Sequence, residues 1–98
     1  MKLFFRNISK NTTVTKNLII LHGLFGSGDN WLTIARRFSE SFNIYLPDLR
    51  NHGQSPHSNI HDYDSMAEDL HEFFIDNKIE TASLIGHSMG GKASMKFA

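Results

Sequence analysis

The chain is 98 residues long and carries ten Lys and Arg against ten Asp and Glu, so its formal net charge at pH 7 is zero. No basic run is dense enough to suggest a nucleic-acid or anionic-membrane surface, and no apolar run approaches the ~18 residues of a membrane helix. The sequence has no cysteine, which excludes disulfides and thiolate catalysis and fits a reducing compartment, so a cytoplasmic location is the expectation.

Met1 to Arg6 contains only the three consecutive apolar residues Leu3, Phe4 and Phe5, too few for a signal-peptide core. Leu3 to Phe5 reads as a short first strand, and the polar stretch from Asn7 to Lys16 as a loop or edge hairpin. Leu18 to Leu21 is an unbroken apolar run, the pattern of a strand buried on both faces of a parallel sheet. A glycine-containing loop from His22 to Asn30 follows. Trp31, Ile34, Ala35 and Phe38 then fall at i, i+3, i+4 and i+7, one apolar face of a helix, with Asp29 or Asn30 as its N-cap. Phe42 to Leu46 is the next strand, ending at Pro47, and Asp48 to His61 is a polar loop. Met66, Leu70, Phe73 and Phe74 mark a second amphipathic helix, for which Ser65 and Glu68 have capping-box spacing. Ala82 to Ile85 is a last strand, and Met89, Ala93 and Phe97 recur at helical spacing after it.

Strands and helices therefore alternate, which argues for right-handed crossovers and a mostly parallel sheet with helices on both faces, an α/β fold. Sheets of this kind usually need roughly 200 to 250 residues as one domain. The helical pattern after Ser88 also reaches Ala98 without a stop signal. The chain is accordingly expected to be the N-terminal part, residues 1–98, of a single larger domain.

Gly86-His87-Ser88-Met89-Gly90 directly follows the last strand and has the form of a nucleophile elbow. In such a turn the strand reverses sharply into a helix and holds the serine strained, with glycines where side chains would collide. Ser88 is thus the candidate nucleophile. A serine hydroxyl is a poor nucleophile at neutral pH and needs a base, normally a histidine oriented by a carboxylate. The Met89 N–H, in the first turn of the following helix, is a candidate oxyanion donor. The second donor is expected from the loop after the first buried strand, where His22-Gly23-Leu24-Phe25-Gly26 stands. There the N–H of Leu24, ahead of that of Phe25, is the candidate.

His22-Gly23-Leu24-Phe25-Gly26-Ser27, Asp48-Leu49-Arg50-Asn51-His52-Gly53-Gln54-Ser55-Pro56 and Gly86-His87-Ser88-Met89-Gly90-Gly91-Lys92 together resemble the three N-terminal signatures of α/β-hydrolase esterases. The wording of the second signature, and the lysine after the double glycine, are similar to bacterial esterases related to mitochondrial abhydrolase-domain-containing protein eleven. The resemblance spans Leu18 to Ala98. It implies a serine hydrolase acting on small-molecule acyl esters or thioesters through an acyl-enzyme, with Ser88 as nucleophile, Leu24 and Met89 as oxyanion donors, and no metal or organic cofactor. It also implies that the catalytic acid and histidine lie beyond the elbow, after the last residue here, so that the 98 residues alone would be inactive. Carbon–carbon hydrolysis or lyase chemistry on the same fold, and a non-catalytic α/β module, stay open as alternatives.

Several residues have plainer readings. Asp48 and Arg50 are expected to form an ion pair within their loop, and Gly53 and Pro56 a turn. His22 and His87 read as packing residues and Trp31 as helix packing. His52, His57 and His61 have a spacing that zinc sites use, yet they sit among turn residues without cysteine support, and no metal site is expected. The side chains of Phe25 and Met89 are candidates to line an acyl pocket, although large apolar residues belong more often to a core.

Overall fold

A computed structural model of the chain describes residues 1–9 and 15–98. Among the described residues four strands form one sheet, β1 (Phe5–Ile8), β2 (Asn17–Leu21), β3 (Asn43–Pro47) and β4 (Ser83–Gly86), in the order β1-β3-β2-β4. β2 pairs in parallel with β3 and β4, whereas β1 runs antiparallel to β3. The helices are α1 (Leu32–Phe38), preceded by a 3-10 turn over Gly28–Trp31, α2 (Tyr63–Asp76) and α3 (Met89–Phe97).

The apolar run of β2 explains the layering. Side chains alternate across a strand, so Leu18 and Ile20 enter one core with Ala35, Ile44 and Leu46, on the face that carries α1. Ile19 and Leu21 enter the other, with Met66, Leu70 and Phe73 of α2 and Met89 and Ala93 of α3. Ile19, Ile20 and Leu21 are wholly buried. A strand covered on both sides has no use for alternating polar residues, and none is present.

Some element boundaries differ from those the sequence suggests. The first strand is Phe5–Ile8 rather than Leu3 to Phe5, because Phe5, Arg6, Asn7 and Ile8 form the register against Pro47, Leu46, Tyr45 and Ile44. Asn7 and Ile8 are therefore strand, and the part of the expected loop at residues 10–14 lies outside the described residues. Asp29 and Asn30 do not cap α1. They lie inside the 3-10 turn, where the Asn30 side-chain oxygen accepts from the Ser27 N–H at 2.8 Å, and α1 begins only at Leu32. Of the expected apolar face only Ala35 is buried, while Ile34 and Phe38 are exposed. The cap of α2 is Asp62, whose Oδ1 accepts from the Ser65 N–H at 2.7 Å, so Ser65 is inside the first turn and not the cap. Hydrogen bonding from the Ser65 side chain, together with that N–H, holds the Asp62 carboxyl below its usual value.

The crossovers position the site. β2 leads to α1 on one face of the sheet, and its neighbour β4 leads to α3 on the opposite face. The loops leaving the carboxyl ends of these two strands must diverge, which opens a crevice between them, the usual ligand position in open α/β sheets.

Candidate active site

Ser88 stands at that divergence, directly after β4 and as the N-cap of α3. Its backbone lies at φ 54°, ψ −112°, a region that costs an L-residue on the order of 1–3 kcal/mol and persists only where the surroundings enforce it. The surroundings are two glycines. A Cβ at Gly86 would stand 2.5 Å from the backbone of Gly91, and one at Gly90 would strike the carbonyl oxygens of Leu21 and His22. The His87 N–H donates to the Leu21 oxygen at 3.0 Å and ties the turn to the end of β2. α3 thus starts flush against β2, and its first turn closes where the Gly90 N–H donates to the His87 oxygen at 3.0 Å.

Ser88 lines a cavity of about 370 Å³ together with Leu24, His61, Asp62, Tyr63, Met66, Met89 and Lys92. Leu24 and His61 also line an adjoining cavity of about 430 Å³, with Phe25, Gly26, Asn51, His52 and Gly53. The structure therefore brings Ser88, Leu24 and Met89 together and places Phe25 one step away, at φ 63° with its ring 91% exposed. The Phe25 N–H donates to His52 Nε2 at 3.0 Å. With that amide engaged, Leu24 is the loop's remaining candidate donor of the two. The Met89 side chain is buried in the core beside α2, although it borders the cavity.

The loop after β3 carries four buried polar side chains, Asp48, Arg50, His52 and Ser55. Asp48 accepts the Gly28 N–H at 2.7 Å and the Gln54 N–H at 2.9 Å. It makes no pair with Arg50. Arg50 instead reaches α2, where Nε and Nη2 bind the two carboxylate oxygens of Asp69 at 2.7 and 2.9 Å and Nη1 donates to the Ile60 oxygen. The Asp69 hydrogen bonds raise the Arg50 guanidinium above its ordinary value, against the effect of burial. A planar fork meeting a carboxylate in two places is the geometry for which arginine is suited. His52 is the third: its Nδ1 donates to the Arg50 oxygen at 2.9 Å while Nε2 receives the Phe25 N–H.

His22 is fully buried, with Nδ1 donating to the Gly23 oxygen at 2.8 Å and Nε2 accepting the Leu49 N–H at 2.9 Å. Burial pushes its ring below the usual histidine value. His87 packs on Trp31, ring centroids 6.0 Å apart. Both ring nitrogens of His52 are thus committed to the backbone, and among the described residues no group of three or more His, Cys, Asp or Glu is arranged to hold a metal ion. Among the described residues no helix is long and apolar enough to cross a membrane. His61, Tyr63 and Lys92 border the Ser88 cavity without having been singled out for it; only the proximity of the α2 start to the elbow, a tertiary fact, reveals them.

A strained serine between close-packed glycines, at the switch point of a mostly parallel sheet, defines an α/β-hydrolase scaffold. The family model described as the alpha/beta hydrolase fold matches residues 16–98, and the chain belongs to that family. It is 43% identical over 96 residues to Esterase YbfF of Escherichia coli (strain K12), covering 97% of this chain and 38% of the relative. It is 45% identical over 83 residues to a Xenopus laevis protein named sn-1-specific diacylglycerol lipase ABHD11, covering 83% of this chain and 27% of the relative. Among solved structures, a marine microorganism esterase superposes with a TM-score of 0.92 at 53% identity, over 98% of this chain and 36% of that one. The chain thus spans between a quarter and two-fifths of the length of these three proteins, which are named as esterases or as a lipase.

Proposed function

We propose that residues 1–98 form the N-terminal part of a single α/β-hydrolase domain that cleaves small-molecule carboxylic esters or thioesters through an acyl-enzyme. The observation that carries this reading is the Ser88 backbone at φ 54°, ψ −112°, held at a strand–helix junction by glycines that leave no room for a Cβ. In this reading the Ser88 hydroxyl attacks the substrate carbonyl and passes its proton to a histidine supplied by the later part of the domain, itself oriented by a carboxylate. The Leu24 and Met89 N–H groups hold the oxyanion as the carbonyl becomes tetrahedral, and the N-terminal dipole of α3 favours the same charge. The leaving alcohol or thiol departs with the proton, and water releases the acyl group by the same steps. No step uses a metal or organic cofactor.

The cavity at Ser88, about 370 Å³, suits a small to medium acyl group, and Phe25 would line the adjoining space beyond Leu24. The balanced charge supports a small-molecule partner over nucleic acid. The cysteine-free sequence fits the cytoplasm. The test is Ser88→Ala in the full-length protein, assayed on short p-nitrophenyl esters and on thioesters. Turnover should fall by about 10³-fold or more with the melting temperature retained. A folded variant that keeps more than about a tenth of wild-type activity would overturn the assignment.

A further inference from the structure

Two loops meet beneath the Ser88 cavity, and each is held by the other's histidine. His22, at the end of β2, receives the Leu49 N–H from the second loop at Nε2. His52, in the second loop, receives the Phe25 N–H from the first at its own Nε2. Only an unprotonated ring nitrogen can accept from an amide, so both rings carry their proton on Nδ1, where each donates to a carbonyl, of Gly23 and Arg50 respectively. The rings lie 5.1 Å apart, centroid to centroid. The exchange is reciprocal: each loop lends a ring and receives an amide.

The bond to His52 matters most for Phe25, whose φ of 63° lies in the left-handed region that an L-residue occupies at a cost. An engaged N–H stabilises that conformation and fixes the plane of the peptide joining Leu24 to Phe25. We propose that His52 is a positioning residue, which holds the first loop through the Phe25 N–H so that the Leu24 amide is preset for the oxyanion formed at Ser88, with His22 closing the clasp from the other side. This rests on the serine-hydrolase reading above. Asp48 supplies an independent bridge between the same loops through the Gly28 N–H, so removal of the His52 acceptor leaves the loops joined.

The experiment compares wild type, His52→Phe and His52→Gln in the full-length protein. Phenylalanine keeps a ring without the acceptor; glutamine offers an oxygen near the place of Nε2. His52→Phe should lower kcat by about tenfold or more while KM stays within about twofold, since a displaced oxyanion donor affects the transition state and not ground-state binding. His52→Gln should recover most of the loss. Fluorophosphonate labelling of Ser88 should slow in parallel with kcat. A labelled wild type with an unimpaired His52→Phe variant overturns the clasp alone, as does a variant whose rate falls only in proportion to its folded fraction or that glutamine fails to rescue. A wild type that takes no label overturns the hydrolase reading and this inference with it. Should His52→Phe fail to fold, nitrogen NMR of the wild type decides: an unprotonated His52 Nε2 supports the clasp, and a proton on Nε2 overturns it.

Discussion

At Gly23 the first loop packs tightly against the elbow, for a Cβ there would stand 2.7 Å from His87 Nδ1 and 3.3 Å from the His87 oxygen. A branched side chain at this point must separate the loop from the turn that carries Ser88. Gly23→Val in the full-length protein should therefore lower kcat by about 10²-fold, with a smaller change in melting temperature. A normal kcat in a variant that has lost most of its stability would show that the loop is structural only. His22 makes a different prediction, on pH. Its ring is neutral in the fold because it is buried and because Nε2 must accept from Leu49, so its folded pKa lies below the ordinary 6.5. The unfolded chain binds the proton more readily, so the contribution of this group is fully present above 6.5 and is lost as pH falls from there through the folded value. The full-length protein should melt at a nearly constant temperature down to about pH 7 and lower below it, and His22→Gln should flatten that limb. Equal pH slopes in the two proteins would remove His22 as its source. The glycine spacing that marks Ser88 was legible in the sequence because a strained turn admits no other residue type. The service of His22 and His52 was not, since a buried ring that accepts a backbone amide leaves no trace in local spacing.

At the scale of elements, the loop after β3 is anchored to α2 by Arg50 and Asp69, both buried. Removing Asp69 leaves the buried Arg50 charged with only the Ile60 oxygen as partner and takes one carboxylate from the Met1 ammonium, a loss of about 3–5 kcal/mol, whereas replacing both Arg50 and Asp69 by apolar residues of similar size is far milder. Asp69→Ala should thus lower the denaturation free energy of the full-length protein by about that amount, and Arg50→Met with Asp69→Leu should recover much of it. A loss under about 1 kcal/mol for Asp69→Ala would show that the pair is solvated and does not anchor the loop. The sequence suggested a partner two residues away, Asp48, because near neighbours are the only pairs that local reading can supply. Asp48 is instead consumed by two backbone N–H groups. The same limit explains the caps. Ser65 and Glu68 have the spacing of a capping box, but Asp62 stands three residues earlier and takes the Ser65 N–H first. The unbroken run of β2 and the apolar stripe of α2 were legible because burial on a sheet imposes periodicity over many residues. β1 was misplaced by the pull of Leu3 and Phe4, and its register is set by β3, some forty residues later in the chain.

At the scale of the whole molecule, among the described residues the sheet ends at β4, which pairs with β2 on one side only. Ile85 of that strand is 43% exposed, and Phe38 of α1 and Met95 of α3 also face solvent. An unpaired strand edge flanked by apolar side chains is a template for association. The 98-residue chain prepared alone should therefore elute as broad oligomer or aggregate rather than as a monomer. Its chemistry should be silent as well. His22 and His52 have both ring nitrogens engaged with backbone, and among the described residues His61 is the one histidine that lines the Ser88 cavity, where its Nδ1 meets the Asn51 side-chain amide at 3.1 Å. A serine without a base keeps its proton and stays unreactive. A fluorophosphonate probe that labels the full-length protein should accordingly leave the isolated chain unlabelled. Stoichiometric labelling of a monomeric 98-residue chain, abolished by His61→Ala, would mean that the base lies in this half of the site, and a base supplied by the later part of the domain would then have to be given up.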